Sequence, residues 1–146
     1  MKPKLRVHLL YPYAIAPVYA HEDDSGMDVF STHDVRLHPL FYDRVPVVQK
    51  IHTGLSLEIP PYHEIQVRSK SGLASKGIVV TNSPATIDEG YRGELIILLH
   101  NIGIEPYDIK TGDKVAQIVL APVTQAEIVV MDDTQRVTGG FGSTGK

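Results

Sequence analysis

Leu55-Ser56-Leu57-Glu58-Ile59-Pro60-Pro61-Tyr62-His63-Glu64-Ile65-Gln66-Val67-Arg68 is the stretch on which the reading of the fold turns. Two short runs alternate apolar and polar residues, the period of a half-buried strand, and a Pro-Pro pair parts them. Outward from this stretch the same grammar repeats: residues 35–37, 77–80, 95–99, 115–120 and 128–131 also read as strands. Between them stand Asn82-Ser83-Pro84, Asn101-Ile102-Gly103, Thr111-Gly112-Asp113 and Gly139-Gly140, all turn signals. Twelve glycines and ten prolines suit that many tight turns. No helical stripe is sustained. The best helix candidate is 71–76, about one and a half turns long, with Gly77 positioned to end it. This spacing predicts an all-β sandwich or jelly roll with one short helix and no internal repeat or linker.

A chain of 146 residues can bury one real hydrophobic core but hardly two. Composition is that of an ordinary globular protein, 42% hydrophobic and 21% charged. The longest apolar run, 95–99, falls far short of the ~20 residues of a membrane helix, so no membrane partner is expected. Met1-Lys2-Pro3-Lys4-Leu5-Arg6 is basic, but nothing like a secretory h-region follows it. The absence of cysteine excludes disulfides, thiolate catalysis and zinc–thiolate sites, and fits a cytoplasmic location. A net charge of -3 without any Lys/Arg run disfavours nucleic acid as a partner. A small polyanion is a different matter, since a few local cations and a metal ion can neutralise it.

The last ten residues look unlike the rest. Gly139, Gly140, Gly142 and Gly145 surround one aromatic ring, Phe141, and two hydroxyls, Ser143 and Thr144, with Arg136 just upstream. Successive glycine N–H groups can form an anion-binding nest, and a lone aromatic in such a stretch can stack on a planar base. By composition alone a disordered C-terminus fits equally well. Gly140 to Lys146 superficially matches the start of a P-loop, but that motif needs a Ser/Thr and a helix after the lysine, and the sequence stops there.

Two further clusters carry chemistry-bearing groups. Arg68-Ser69-Lys70-Ser71-Gly72 places two cations and two hydroxyls at the mouth of the short helix, a phosphate cradle or simply a solvated strand end. Asp88 lies in a turn with Gly90, Tyr91 and Arg92, where it could orient or deprotonate a water or form an Asx turn. Asp28, after Ser25-Gly26-Met27, is open to the same two readings, as a ligand of metal-bound water or as a turn residue. The seven histidines show no paired metal-ligand spacing, and His21-Glu22-Asp23-Asp24 reads as a solvated loop.

Each cluster alone is ambiguous; their order is informative. The sequence resembles the trimeric dUTPase family in five ordered motifs. They are Ala20-His21-Glu22-Asp23-Asp24-Ser25-Gly26-Met27-Asp28-Val29, Arg68-Ser69-Lys70-Ser71-Gly72-Leu73-Ala74, Ala85-Thr86-Ile87-Asp88-Glu89-Gly90-Tyr91-Arg92-Gly93, Gly112-Asp113-Lys114-Val115-Ala116-Gln117-Ile118 and Arg136-Val137-Thr138-Gly139-Gly140-Phe141-Gly142-Ser143-Thr144-Gly145. The resemblance implies a jelly-roll domain over 1–136 and a glycine-rich arm over 137–146 that closes over the substrate. It also implies a homotrimer whose active sites are shared between subunits. The implied reaction is hydrolysis of dUTP to dUMP and pyrophosphate, which keeps uracil out of DNA and supplies dUMP for thymidylate synthesis.

On that resemblance Asp88 positions the water that attacks the α-phosphorus. A carboxylate is a weak base at neutral pH, so orientation is its main contribution. Mg²⁺ serves as cofactor, clamping the triphosphate, and Asp28 holds waters of that ion. Tyr91 lies against the deoxyribose and leaves no room for a 2′-hydroxyl. Asn82 and the backbone from Thr86 read the uracil edge, and Ile87 and Ile96 complete the nucleoside pocket. Lys70, Ser71, Gly72 and Gln117 contact phosphates. Arg136, Gly142, Ser143 and Thr144 engage the substrate from the arm while Phe141 stacks on the base.

Three positions depart from the family pattern. Lys70 replaces a usual arginine, keeping the charge but losing the two-pronged donor. Ala85 replaces a usual glycine, which would strain the chain by roughly 1 kcal/mol if the backbone there had positive φ. Ser25 replaces a usual alanine. The nearest rival, dCTP deaminase, shares fold and several motifs but places an essential glutamate ten residues after the aspartate matching Asp88; here that residue is Leu98. A non-catalytic nucleotide-binding or regulatory β-sandwich is the alternative of a different class.

Overall fold

A computed structural model describes residues 1–40 and 47–131. Eleven strands and a single helical turn are found there: β1 (Arg6–Leu9), β2 (Met27–Phe30), β3 (Val35–Leu37), β4 (Gln49–His52), β5 (Leu55–Glu58), β6 (His63–Arg68), α1 (Ser71–Ala74), β7 (Ile78–Val80), β8 (Ala85–Ile87), β9 (Ile96–Asn101), β10 (Tyr107–Ile109) and β11 (Lys114–Pro122). They assemble antiparallel into a four-stranded sheet, β2-β11-β6-β8, a three-stranded sheet, β4-β9-β7, and the pairs β1-β5 and β10-β3. This is the jelly-roll-like all-β fold that the alternation predicted.

Strand periodicity explains which residues enter the core. In β6 the buried residues are Ile65 and Val67, and in β9 they are Ile97, Leu99 and Asn101, every second position in each case. The apolar ones meet Val29, Leu37, Ile51, Leu55, Ile109 and Ile118 in one cluster. Burial of such side chains contributes about 1.5–3 kcal/mol each relative to exposure. Asn101, buried but polar, is satisfied: its Nδ2 donates to the carbonyls of Leu37 and Glu105 at 3.0 and 2.7 Å, and its Oδ1 accepts from the Gly103 N–H at 2.8 Å.

The helix is shorter than the sequence predicts. Ser75 N–H donates to the Ser71 carbonyl, but Lys76 and Gly77 donate to Leu73 and Ala74, so the ladder tightens from four residues to three and stops. Gly77 ends it at φ +85, and a Cβ there would lie 2.7 Å from the Gly103 nitrogen. Residues 128–131 are a correction to the strand reading. They form no strand in this chain, and Ile128, Val129, Val130 and Met131 are 70–87% exposed. The short apolar run there has β-branched composition but no partner strand within the described residues. The concern over Ala85 also dissolves, because Tyr62, at φ 62, is alone among the described non-glycine residues in having positive φ. Ala85 is an ordinary β8 residue opposite Val67.

Candidate active site

Three adjacent strands set one end of the site. Gln117 in β11 stands opposite Asp28 in β2 on one side and opposite Arg68 in β6 on the other. The chain beyond Arg68 carries Ser69 and Lys70 directly into α1, so Lys70 reaches back over β2. Its Nζ contacts Asp28 Oδ1, and Lys114 Nζ lies 2.8 Å from Oδ2. Gln117 Nε2 donates to the Ser69 carbonyl at 3.1 Å. Asp28, Lys70 and Gln117, with Asp24, Ser25 and Gly26, line a 240 Å³ cavity. Gly26 leaves room there for the Gln117 carboxamide, which a Cβ at this position would displace. Ser71 and Gly72 sit exposed at the helix mouth, and nothing in the chain crowds Gly72.

Asp28 is 4% exposed, so its charge has been taken from water and must be compensated. Burial pushes its carboxyl up, but Lys114 and Lys70 beside it outweigh that and hold it below the ordinary carboxylate range. Lys70 and Lys114 put two ammonium groups beside this one carboxylate, and Asp24 adds a second negative charge to the cavity lining, so the attraction for an anion comes from the individual ammonium groups rather than from a net positive cluster.

The other end of β6 is built differently. There β8 pairs with it through Val67–Ala85, Gln66–Thr86 and Ile65–Ile87, and Asp88 follows directly on the last of these pairs. Asp88 is exposed in the turn that follows, where its carbonyl accepts from the Tyr91 N–H at 3.0 Å. With Thr86, Glu89, Gly90 and Tyr62 it lines an open 510 Å³ cleft. Glu89 Oε2 accepts from the Tyr62 N–H at 3.0 Å, and Arg92 Nη1 donates to the Glu89 carbonyl at 2.7 Å. The turn is therefore fixed from both flanks while the Asp88 carboxylate points at no described donor. Asn82 is exposed before β8, beside the cis Ser83–Pro84 bond, and Ile87 and Ile96 are half-buried.

The dUTPase family profile matches residues 12–145, nearly the whole chain. The chain belongs to the dUTPase family. The deoxyuridine 5′-triphosphate nucleotidohydrolase of Zymomonas mobilis is 51% identical over 99% of both chains. That of Clostridium kluyveri is 47% identical over 97% of this chain and 98% of its own. Among solved structures, the dUTPase of Staphylococcus bacteriophage 80alpha with dUPNHPP superposes with a TM-score of 0.81 at 28% identity, over 97% of this chain and 98% of that one. A dUTPase of phage phi11 of S. aureus, described as coordinating a structural Mg(II) ion, covers 91% of this chain and 99% of its own with a TM-score of 0.79 and 28% identity.

Within this dUTPase fold, Asp28, Lys70 and Gln117 come together, with Ser71 and Gly72 adjoining. Thr86, Asp88 and Tyr91 form a second group. Ile87, the residue before Asp88, pairs with Ile65, and an extended chain from Ile65 to Lys70 spans roughly 17 Å, so the two groups sit toward opposite ends of β6. Arg136, Phe141, Gly142, Ser143 and Thr144 lie outside the described residues. No helix among the described residues is long and apolar enough to cross a membrane. Sequence reading missed Lys114, Gly26, Glu89 and Tyr62. Lys114 and Gly26 sit inside quoted motifs, but their importance is a matter of which strand lies beside them.

Proposed function

We propose that this chain hydrolyses dUTP to dUMP and pyrophosphate, as a homotrimer with active sites shared between subunits. The family match across residues 12–145, with relatives named for this reaction at 47 and 51% identity, is the observation that carries the substrate. Geometry supports the sharing. A triphosphate is shorter than the extended chain between the Lys70 and Asp88 ends of β6, which favours a site built from two chains. The exposed apolar stretch 128–131 is a surface that a second copy would cover.

In this reading the Lys70, Ser71, Gly72 and Gln117 end of one subunit receives the phosphates, and Asp88 of a neighbour orients the attacking water. The water oxygen bonds to the α-phosphorus as the bridging oxygen to the β-phosphorus departs with pyrophosphate. Asp88 accepts the proton as charge shifts. Tyr91 packs against the deoxyribose, while Asn82, Thr86, Ile87 and Ile96 hold the uracil. Residues 137–146 act as the arm, with Arg136, Gly142, Ser143 and Thr144 on the substrate and Phe141 on the base.

The donor set decides how Mg²⁺ fits. No group of three or more His, Cys, Asp or Glu side chains that could hold a metal exists among the described residues. Asp28 is a single carboxylate already facing two lysines. That suits an ion that would arrive on the substrate phosphates, with Asp28 as the residue that would hold its waters. Such an ion would supply charge neutralisation at the phosphates. The test is pyrophosphate release from dUTP, dCTP, dTTP and UTP at equal concentration with Mg²⁺. Turnover of dUTP alone is expected; comparable rates on all four would overturn the assignment.

A further inference from the structure

Tyr91 is held by more than its own turn. Its hydroxyl donates to the Glu94 backbone carbonyl at 2.9 Å, and its N–H donates to the Asp88 carbonyl. The hydroxyl end of the ring lies against Gly93: a Cβ on that glycine would fall 2.5 Å from the phenol oxygen and 2.7 Å from Cζ. No positive φ is recorded for Gly93, so what the position requires is a bare face beside the ring.

Glu94 is in turn fastened from behind. Its Oε1 accepts from the Gly54 N–H at 2.9 Å and its Oε2 meets His52 Nδ1 at 2.9 Å, so both oxygens clamp it to the turn between β4 and β5. The clamp is rigid at its far side. Gly54 has φ +68, and a Cβ there would lie 2.8 Å from the Ala14 methyl. The His52 carbonyl accepts from both the Thr32 N–H and its hydroxyl, each at 2.9 Å. The Glu94 side chain is 15% exposed. A half-buried carboxylate with both oxygens committed fixes its own backbone, and that backbone carries the acceptor for Tyr91.

We infer that Glu94, seated on Gly54 and His52, is a positioning residue for sugar discrimination. Through its carbonyl and the bare face of Gly93 it sets the Tyr91 ring where a ribose 2′-hydroxyl would have to fit. This rests on the reading of Tyr91 as the deoxyribose contact. A merely structural Glu94 would affect all nucleotides alike. A positioning Glu94 changes the ratio between them, because discrimination by exclusion depends on where the excluding group stands.

The experiment compares kcat/KM for dUTP and UTP in the wild-type protein and in Glu94→Ala, Glu94→Gln and Gly93→Ala, with the Tm of each. Glu94→Ala and Gly93→Ala are expected to raise the UTP-to-dUTP ratio roughly tenfold. Glu94→Gln, which can still accept from Gly54 and donate to His52, should restore most of the wild-type ratio. Equal losses on both substrates with an unchanged ratio in Glu94→Ala and Gly93→Ala would overturn the inference. Should Glu94→Ala fail to fold, Gly93→Ala decides alone, since it leaves the carboxylate clamp intact. A wild-type protein that turns over UTP as fast as dUTP would instead overturn the proposed function.

Discussion

Asp28 and Asp88 stand near opposite ends of the same region of sheet, and the protein treats them in opposite ways. Asp28 is buried and both its oxygens face ammonium groups, from Lys70 and Lys114. Asp88 is exposed at the rim of a 510 Å³ cleft, and no described donor holds its carboxylate. The difference separates two jobs that a carboxylate can do. Asp28 is already paired with positive charge. Asp88 has its lone pairs free for a water, and the turn around it, not the side chain, is what has been made rigid.

The sharpest way to break this contrast is to neutralise each aspartate in turn. Asp88→Asn should lower dUTP turnover between roughly 100- and 10,000-fold, the range of a lost acid–base or water-orienting group. Binding of dUPNHPP, measured by calorimetry, should persist. Turnover within a few-fold of wild type would remove Asp88 from the reaction.

Next in size is a mixing experiment that tests where the two ends meet. Asp88→Asn protein and a Lys70→Ala/Gln117→Ala double variant, unfolded together and refolded as mixed trimers, should recover activity in about a quarter of the sites. Each such site takes its Asp88 from one chain and its phosphate cradle from another. No recovery in demonstrably mixed trimers would place both groups in one chain.

Asp28→Asn tests the buried member. Removing one partner of a buried pair costs 3–5 kcal/mol, and because Lys114 is about half-exposed a loss of about 2 kcal/mol is expected at neutral pH. The Asp28 carboxyl is held below its ordinary range, so its stabilising contribution is complete above the unfolded-chain value and is lost as pH falls through the folded one. The wild-type advantage in denaturant midpoint should therefore shrink on acidification below the normal aspartate range. A gap that stays constant with pH would refute the pairing.

The smallest effect concerns the scaffold of the Asp88 cleft. Tyr62 carries positive φ and is 81% exposed while its N–H holds Glu89. Tyr62→Gly should relieve roughly 1 kcal/mol of backbone strain and raise the Tm by a few degrees. A lower Tm would mean that the ring, despite its exposure, does more for stability than the strain costs.

Much of the site was legible before the fold because its residues cluster along the chain. Lys70, Ser71 and Gly72 are consecutive, and Asp88 and Tyr91 share one turn. Glu94 and His52 were not legible as a pair, since 42 residues separate them and neither has a distinctive neighbour. The run 128–131 shows the opposite failure: an apolar, β-branched stretch that pairs with no strand among the described residues.

Period-two alternation along segments such as 55–59 and 65–68 was enough to determine that this is an all-β protein, because alternation leaves only one face of each strand to bury. The order of short motifs was likewise enough to name the family. What only the tertiary structure decided is which charges meet. Asp28 is near neither Lys70 nor Lys114 in sequence, and it becomes a cation-holding group solely because β2, β11 and the end of β6 lie side by side. Pairing between strands is long-range, set by core packing and register, and a linear pattern carries the faces of strands but not their neighbours.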